Sequence, residues 1–384
     1  MFGRALLPHW TLEEGMIFLN HGSFGATPRL VQAEAARWQS RMESQPVRFF
    51  RDELPPALRA AATALAGFVG TAPERLAFVE NATSGINAVL RSMRWQPGDE
   101  IVTTSHVYNA VRQTFAFLTT SAGVTSVEVP LGMPLSDATD VTHAIAARIT
   151  PRTRLIVIDH IASATAVILP VSEIVALARA AGVPVLIDGA HAPGMVDLAI
   201  DGLGADYYVG NCHKWLCSPK GAAFLAVAPN AAVAPHPSVI SHGFGQGFSA
   251  EFDWIGTRDC SPWLATPAAI DLHHAIGGQA LRQRSTDLAR TMAAMLADAL
   301  GTQTGAPTGL FGAIATIRLP FSGHGDWVMA HALRDWIWKN RRMELLVTAF
   351  DGQFWIRISA APYNEAADYE AIPAALHDAW RALT

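Results

Sequence analysis

Cysteine is scarce in this chain, which has three cysteines in 384 residues. Three thiols cannot build a disulfide framework for a chain of this length, so the composition indicates a reducing compartment, and we expect the cytoplasm. Clusters of lysine or arginine are also missing, and the formal net charge is −5. Without a basic stripe, nucleic acid is not expected as a partner.

Long uncharged apolar runs are missing as well. The most apolar region, residues 155–187, is interrupted by Asp159, Glu173 and Arg179, and no run reaches the roughly 20 residues that a membrane-spanning helix needs. The first residues do not follow the pattern of a secretory signal, because Pro8 breaks a short apolar patch. We therefore expect no membrane partner.

Apolar residues themselves are abundant, at 50% of the chain, and they fall in short continuous runs. Continuous rather than alternating apolarity is typical of parallel strands covered by helices on both faces. Helical segments such as "TSGINAVLRSM" and "SEIVALARAAG" separate the runs, so the order predicts a doubly wound α/β sheet. The expected strands are residues 76–80, 100–104, 155–159, 183–188, 206–210 and 222–228.

The pattern changes after about residue 265. Residues 267–300 are typical of one long helix, and shorter strand-like and helical segments follow it. This change predicts a second, smaller α+β domain. We expect the large α/β domain to span residues 15–265 and the smaller one residues 266–384, with residues 1–14 packing near it.

One small, hydroxyl-rich turn follows the first expected strand. In "ENATSGINAVLRS", residues 81–85 open a helix, and the free N–H groups at a helix N-terminus favour phosphate binding. The alternative is that Thr83 and Ser84 only cap the helix.

A carboxylate stands at another strand end, in "VPVLIDGAHAPG". Asp188 ends a strongly apolar run, and ligands of open α/β sheets bind beyond the carboxyl ends of strands. A buried carboxylate needs a cation or hydrogen-bond donors, and the protonated ring nitrogen of a cofactor would satisfy it. His191 is close enough in sequence to reach the same ligand. The alternative is a structural aspartate that caps the turn at Gly189.

The segment "GNCHKWLCSPKG" follows the next strand and contains Lys214. An amine in an apolar site has a lowered pKa and forms Schiff bases with carbonyl compounds. Cys212, His213 and Cys217 allow a metal site as the alternative, but their spacing is not a common zinc pattern. We therefore expect a cofactor here and no metal.

Together these segments resemble the pyridoxal-phosphate enzymes of fold type I. Within that class the chain resembles the class V aminotransferase superfamily, and most closely its isopenicillin N epimerase-like branch. The resemblance follows family order over nearly the whole chain. Its other matching segments are "LNHGSFGATP", "QPVRFF", "TTSHVYNAV", "EFDWIGTRD" and "RISAAPYNEAAD".

The resemblance implies a fold and a site. The fold is a mostly parallel seven-stranded sheet between helices, followed by the smaller α+β domain. Lys214 forms a Schiff base with pyridoxal 5'-phosphate, Asp188 pairs with its pyridine nitrogen, and His106 stacks on the ring, with Tyr108 as a competitor. The remaining implied cofactor contacts are Ala82, Thr83, Ser163, His191, Asn211 and His213.

The resemblance also implies an amino-acid substrate and a homodimer with shared active sites. Arg357 matches the residue that binds the substrate carboxylate, and Thr257 matches one that reaches the phosphate site of the partner subunit. The other implied substrate-binding residues are Asn20, His21, Arg48 and Tyr108.

Several reactions at Cα or Cβ of an amino acid fit such a site. Epimerisation and transamination are open, and the alternative is a C–S lyase that eliminates the β sulfur of a substituted cysteine. A persulfide-forming cysteine desulfurase is not expected, because no cysteine lies between Cys260 and Arg357. Two alternatives remain. One is a protein that binds the cofactor without turnover, and the other is a metal-dependent hydrolase that uses Asp188, His191 and His213.

Overall fold

The computed structural model describes residues 2–384. Its strands are β1 (Ile17–Phe18), β2 (Leu76–Val79), β3 (Glu100–Thr104), β4 (Thr125–Val129), β5 (Thr153–Asp159), β6 (Val185–Asp188), β7 (Tyr207–Asn211), β8 (Ala223–Val227), β9 (Ile314–Arg318), β10 (Met343–Glu344), β11 (Leu346–Phe350) and β12 (Gln353–Ser359).

The α-helices lie between and after these strands. They are α1 (His21–Phe24), α2 (Arg29–Ser44), α3 (Pro46–Arg48), α4 (Leu54–Val69), α5 (Ala82–Ser92), α6 (Asn109–Ala122), α7 (Ala138–Ala146), α8 (Val171–Ala180), α9 (Ile200–Leu203), α10 (Phe248–Asp253), α11 (Ser261–Leu264), α12 (Thr266–Ala275), α13 (Gln279–Leu300), α14 (Trp327–Arg341) and α15 (Ile372–Leu383).

The predicted seven-stranded, mostly parallel sheet is confirmed. Its strand order is β2-β8-β7-β6-β5-β3-β4, with parallel pairing from β7 to β4 and antiparallel pairing of β8 with both of its neighbours. All six expected strands are present. The sequence did not reveal β4, because this edge strand is largely exposed and lacks a continuous apolar run.

Both faces of the sheet are buried, which explains the continuous apolar runs. Along β5, Ile156 and Ile158 belong to one apolar cluster, whereas Leu155 and Val157 belong to a second cluster on the opposite face. Because successive strand residues point to opposite faces, the central positions of such a strand are all apolar, from Leu155 to Ile158. Polar residues stand at its two ends, Thr153 and Arg154 at the start and Asp159 at the end.

The C-terminal part contains a second sheet. Its order is β11-β12-β9, with both pairings antiparallel, and α13, α14 and α15 pack on or beside it. The long helix expected for residues 267–300 is wrong in one respect. It divides into α12 and α13 at Gly277 and Gly278, whose φ angles are 135° and 55°, values that glycine adopts at little cost.

The start of the chain lies against the C-terminal part. Parallel β1 pairs with β10, the Gly3 N–H donates to the Pro362 carbonyl at 2.9 Å, and Arg4 forms an ion pair with Asp368 at 2.8 Å. Helix α12 packs against α2 and α4. The domain boundaries stay a prediction. In residues 2–384, no helix combines the length and apolarity needed to cross a bilayer.

Candidate functional site

A cavity of about 590 Å³ opens where β5, β6 and β7 end and α5 begins. This is the edge at which parallel sheets bind ligands. Polar and charged side chains from distant segments meet here because each of them follows a strand or starts a helix. The lining residues are Ser23, Phe24, Glu80, Asn81, Ala82, Thr83, Ser84, Tyr108, Asp159, Ile161, Ser163, Asp188, Ala190, His191, Asn211, His213, Lys214 and Gly221.

Lys214 is the amine of this cavity. It follows β7, and only 8% of it is exposed. Burial, together with the charge of Arg357, lowers the pKa of Lys214 to about 7. Its Nζ lies 3.0 Å from His191 Nε2, and Trp215 Nε1 donates to His191 Nδ1 at 3.4 Å. Because that nitrogen accepts, a neutral His191 carries its proton on Nε2 and donates to an uncharged Lys214 amine.

Asp188 faces the cavity from the end of β6. It is 4% exposed, and its Oδ1 accepts the Ala190 N–H at 3.0 Å. Burial raises the pKa of Asp188, whereas the Ala190 N–H and the charge of Lys214 lower it. A second carboxyl group lies beside it, because Asp159 is its partner in the register of β5 and β6.

The N-terminus of α5 forms another wall. Asn81 caps the helix, since its Oδ1 accepts the Ser84 N–H at 2.9 Å, so the capping residue is neither Thr83 nor Ser84. Asn211, the last residue of β7, accepts the Ala82 N–H at 2.8 Å. Thr83 faces the cavity near these groups, as does His213, whose Nδ1 contacts the Ala222 carbonyl at 3.1 Å.

Arg357 is a buried cation without an anionic partner among residues 2–384. It is 1% exposed, and its guanidinium donates to the Ser163 carbonyl at 2.5 Å, Ser23 Oγ at 3.0 Å and Asn20 Oδ1 at 3.2 Å. In the described part of the chain its Nε has no hydrogen-bond acceptor. Burial lowers the pKa of Arg357 to about 10, which leaves it charged at neutral pH.

The two candidates for stacking on a ring, His106 and Tyr108, have different surroundings. His106 is 2% exposed, and its ring nitrogens contact Thr165 Oγ1 at 2.8 Å and the Leu131 carbonyl at 3.2 Å. Tyr108 is 46% exposed and lines the cavity. Because His106 is held against Thr165 and Leu131 while Tyr108 faces the cavity, the geometry favours Tyr108 as the aromatic ring that meets a ligand.

Asn20, an acceptor for Arg357, lies outside the cavity lining, and so do three further predicted residues. His21 is buried behind Lys214, where its Nε2 contacts the Lys214 carbonyl at 3.1 Å and its Nδ1 contacts Tyr363 at 2.8 Å. This placement supports the backbone of Lys214 and does not bring His21 to the cavity. Arg48 and Thr257 are exposed and are not among the residues that line the cavity of their own chain.

Sequence reasoning missed several residues of this site. Asp159 gave the same signal as Asp188, a carboxylate at the end of an apolar strand, and could have been found by it. Ser23 and Phe24 lie within the segment "LNHGSFG", but their positions depend on the contact between α1 and the C-terminal sheet, where the Gly22 N–H donates to Ser359 Oγ at 3.1 Å. A contact between segments so far apart in the chain cannot be predicted from the residue pattern of either segment.

The residues fit the cofactor that the sequence implies. A buried, uncharged amine suits reaction with an aldehyde, and a carboxylate at a strand end suits a ring nitrogen. The N-terminus of the 11-residue α5 suits a phosphate. In residues 2–384, no group of three or more His, Cys, Asp or Glu side chains is arranged to hold a metal ion.

Comparison with known sequences gives a consistent picture. Residues 30–335 match the family model described as aminotransferase class-V. A putative L-cysteine desulfhydrase of Oryza sativa subsp. japonica is 33% identical over 396 residues, covering 94% of this chain and 82% of that protein. An isopenicillin N epimerase of Amycolatopsis lactamdurans is 33% identical over 391 residues, covering 96% of each chain.

Solved structures with the same fold are more distant in sequence. The cystine C–S lyase C-DES, in complex with its reaction product cysteine persulfide, superposes with a TM-score of 0.82 at 20% identity, covering 95% of this chain and 98% of that one. The cysteine desulfurase CsdA of Escherichia coli gives a TM-score of 0.77 at 20% identity and full coverage of both chains. At this identity the likeness shows the fold alone.

Proposed function

Because the chain belongs to the class-V aminotransferase family, we propose that Lys214 removes the Cα proton of an amino acid whose carboxylate is bound by Arg357. The protein is a pyridoxal-phosphate-dependent enzyme that acts at Cα or Cβ of an amino acid. The bound cofactor supplies an electron sink that acidifies the Cα–H bond. The chain's own residues orient that bond and move its proton.

The buried, unpaired guanidinium of Arg357 is the observation that carries this proposal. A buried charge is costly unless it is paired, and a carboxylate from the substrate would pair with it. An arginine fork binds a carboxylate through two parallel hydrogen bonds and so also fixes its orientation. Ser163 and Ser23 hold the guanidinium through hydrogen bonds of 2.5 Å and 3.0 Å, and both of these residues line the cavity that contains Lys214.

The state of Lys214 supports its role as the base. A pKa of about 7 means that much of the amine is uncharged near neutral pH, and general bases work best when their pKa lies near the operating pH. His191, 3.0 Å away, holds the amine in position. Lys214 would hold the cofactor covalently, and its amine, once released by the substrate, would accept the Cα proton.

We assign the remaining lining residues to cofactor binding. Asp188 would pair with the ring nitrogen, and Tyr108 would cover the ring from the cavity mouth. The phosphate would lie at the start of α5, close to hydroxyl, imidazole and amide side chains. The residues proposed for the phosphate and for the rest of the ring are Ala82, Thr83, Asn211, His213, Ser163 and His191, while Asn20 supports Arg357.

A second candidate is C–S lyase activity on a substituted cysteine. Relatives named as L-cysteine desulfhydrases are as similar to this chain as relatives named as isopenicillin N epimerases, and elimination needs no enzyme thiol. The three cysteines, Cys212, Cys217 and Cys260, are free and buried, and burial raises the pKa of each thiol. That placement disfavours a reaction that forms a persulfide on a cysteine of the enzyme, and it leaves elimination open.

One experiment tests the proposal and separates the candidates. The enzyme, loaded with pyridoxal phosphate, is incubated in D₂O with single amino acids and with S-substituted cysteines. Loss of the Cα proton signal by NMR is expected for accepted substrates. Chiral chromatography then detects an epimer, and assays for a 2-oxo acid and a released thiol detect elimination. If no amino acid exchanges its Cα proton although the cofactor is bound, the proposal is wrong.

We further propose a cytoplasmic homodimer with shared active sites. The exposure of Thr257 and Arg48 supports contact with a neighbouring subunit, because neither lines its own cavity. Exposed apolar side chains lie in nearby surface segments, including Phe24 at 74% and Val47 at 67% exposure, and such side chains are typical of interfaces. The three free cysteines support a reducing compartment.

A further inference from the structure

Asp159 is a buried acid of the cavity to which the proposed function gives no role. It ends β5, is 3% exposed and lines the cavity. Its Oδ2 is buried and has no hydrogen-bond partner among the residues that the structure describes. A buried polar oxygen without a partner is unfavourable, so this oxygen calls for a proton, a ligand or both.

The register of the sheet places Asp159 beside Asp188. The two residues are Cα partners in the parallel pair β5 and β6. Paired residues of neighbouring strands project their side chains from the same face, and the strands lie about 4.8 Å apart. The two carboxyl groups therefore lie side by side at one sheet edge, within reach of a shared hydrogen bond.

Charge decides which of the two holds a proton. Two adjacent buried carboxyl groups do not both ionise readily. Asp188 accepts the Ala190 N–H, a contact that favours its charged form. The backbone N–H of Asp159 likewise favours the charged form of its own carboxyl group, but Asp159 Oδ2 has no hydrogen-bond partner within residues 2–384. Burial, and next the charge of Asp188, raise the pKa of Asp159 well above its usual range. The proton therefore belongs on Asp159.

The surrounding cations do not reverse this assignment. Lys214 and Arg112 lower the pKa of Asp159, but less than burial and Asp188 raise it. Arg112 is already paired with Glu128 through hydrogen bonds of 2.7 Å and 3.1 Å. Glu80 and Tyr108 also line the cavity, and Arg357 lies beside it. Three histidines, His106, His191 and His213, complete the titratable groups named around the site, and burial lowers their pKa values.

We propose that Asp159 is a positioning residue that donates its carboxyl proton in a hydrogen bond to the Asp188 carboxylate. The inference deepens, and rests on, the cofactor site proposed above. The pair then presents a single negative charge to the single positive charge of a protonated ring nitrogen. It also holds Asp188 in one orientation and keeps it ionised at lower pH than a lone buried carboxylate would be.

The test compares Asp159→Asn with Asp159→Leu. The dissociation constant for pyridoxal phosphate is measured from the visible absorbance of the bound cofactor between pH 5 and 9, a range set by the groups that titrate near neutrality. A donor to a carboxylate lowers its pKa, so removing the donor raises it. In Asp159→Leu, the loss of affinity at low pH should therefore begin about one pH unit or more higher than in wild type. The Asn side chain still donates, so Asp159→Asn should follow the wild-type profile.

Other outcomes overturn the proposal. If Asp159 were ionised, either substitution would remove a like charge, and the loss of affinity at low pH would begin at a lower pH in both variants. If Asp159 were only structural, the pH at which affinity is lost would be the same in both variants as in wild type. Ile158→Val, a buried change on the opposite face of β5, should lower Tm without changing the pH at which cofactor affinity is lost. A wild-type protein that binds no pyridoxal phosphate would instead contradict the proposed function, and so the two failures are distinguishable.

Discussion

Lys214 differs from Lys220, its nearest lysine neighbour in sequence, in what surrounds its amine. The Lys214 amine lies 3.0 Å from His191 inside the cavity, whereas Lys220 Nζ donates to Thr27 Oγ1 at 3.3 Å, beside a different surface depression. Lys214→Ala should therefore abolish the visible absorbance of the bound cofactor, and Lys220→Ala should retain it. Spectra of both purified variants, recorded with added pyridoxal phosphate, check this. The reverse pattern would move the covalent attachment to Lys220.

Arg357→Lys should separate substrate binding from cofactor binding. Lysine keeps the charge but cannot bind a carboxylate through a planar fork. The visible spectrum should stay unchanged, whereas KM for the amino acid should rise about ten- to a hundredfold, the equivalent of one charge-assisted hydrogen bond. Steady-state kinetics and absorbance titration measure the two effects separately.

Arg381→Lys is the matched control, because Arg381 is exposed and lies outside the cavity lining. It should leave KM unchanged. A rise in KM for Arg48→Lys, with a normal value for Arg357→Lys, would place carboxylate recognition at Arg48.

At the scale of elements, the end of α1 lies close to the backbone of His213 and Lys214, which follow β7. This close contact helps to fix the position of Lys214. Gly25 ends α1 with φ of 71°, and a Cβ atom there would lie 2.0 Å from the His213 carbonyl and 2.9 Å from that of Lys214. The space between the two segments is therefore available only to glycine. Gly25→Ala should displace the Lys214 backbone and destabilise the protein by about 2–4 kcal/mol.

Gly247→Ala isolates the effect of that contact. Gly247 has a comparable backbone conformation, with φ of 102° and ψ of 163° against φ of 71° and ψ of 164° at Gly25, but open space around it, so it should show only the cost of placing alanine in that conformation. Denaturant unfolding and cofactor affinity would be compared for the two variants. Equal effects would mean that backbone conformation alone, and not the approach to Lys214, requires glycine at position 25.

Local patterns predicted those elements whose burial is uniform. β3 and β6 are buried at every position, and β5 at every position except Arg154, because both sheet faces are covered. Their apolar runs therefore predicted where these strands lie, and also the carboxylate at the end of β6. β4 was not predicted, because an exposed edge strand has no continuous apolar run. The break between α12 and α13 was hidden in the same way, since apolar periodicity continues on both sides of Gly277.

Some residues around Lys214 were likewise predictable from a single segment, whereas others depend on contacts between distant segments. Asp188 is the last residue of β6, and Lys214 lies shortly after β7. The apolar pattern of a single segment is therefore enough to predict each of them. The choice between His106 and Tyr108 depends on whether a ring packs on Phe350, 4.8 Å from the His106 ring centroid, and Phe350 lies more than two hundred residues further along the chain. Such a long-range contact cannot be predicted from the residue pattern of one segment.

At the scale of the whole molecule, the segment around Thr257 connects the cavity rim to the surface. Arg258 forms an ion pair with Glu80 and lies over the Trp263 ring at 3.9 Å. Glu80 lines the cavity, so this pair ties the neighbour of Thr257 to the cavity rim, while Thr257 itself is exposed and lies outside the lining. The sequence resemblance implies that such a threonine completes the phosphate site of the partner subunit.

The protein should therefore be a homodimer in which Thr257→Ala weakens cofactor binding. The lost hydroxyl would remove one hydrogen bond to a charged phosphate, and the expected change in Kd for pyridoxal phosphate is about tenfold. Light scattering gives the mass in solution, and absorbance titration gives Kd. Thr120→Ala, a change at another exposed threonine whose Oγ1 donates only to the Ala116 carbonyl at 3.1 Å, should leave Kd unaltered. A monomer that binds the cofactor as tightly as the dimer would refute the shared site, because a site completed by a partner cannot be fully formed in one chain.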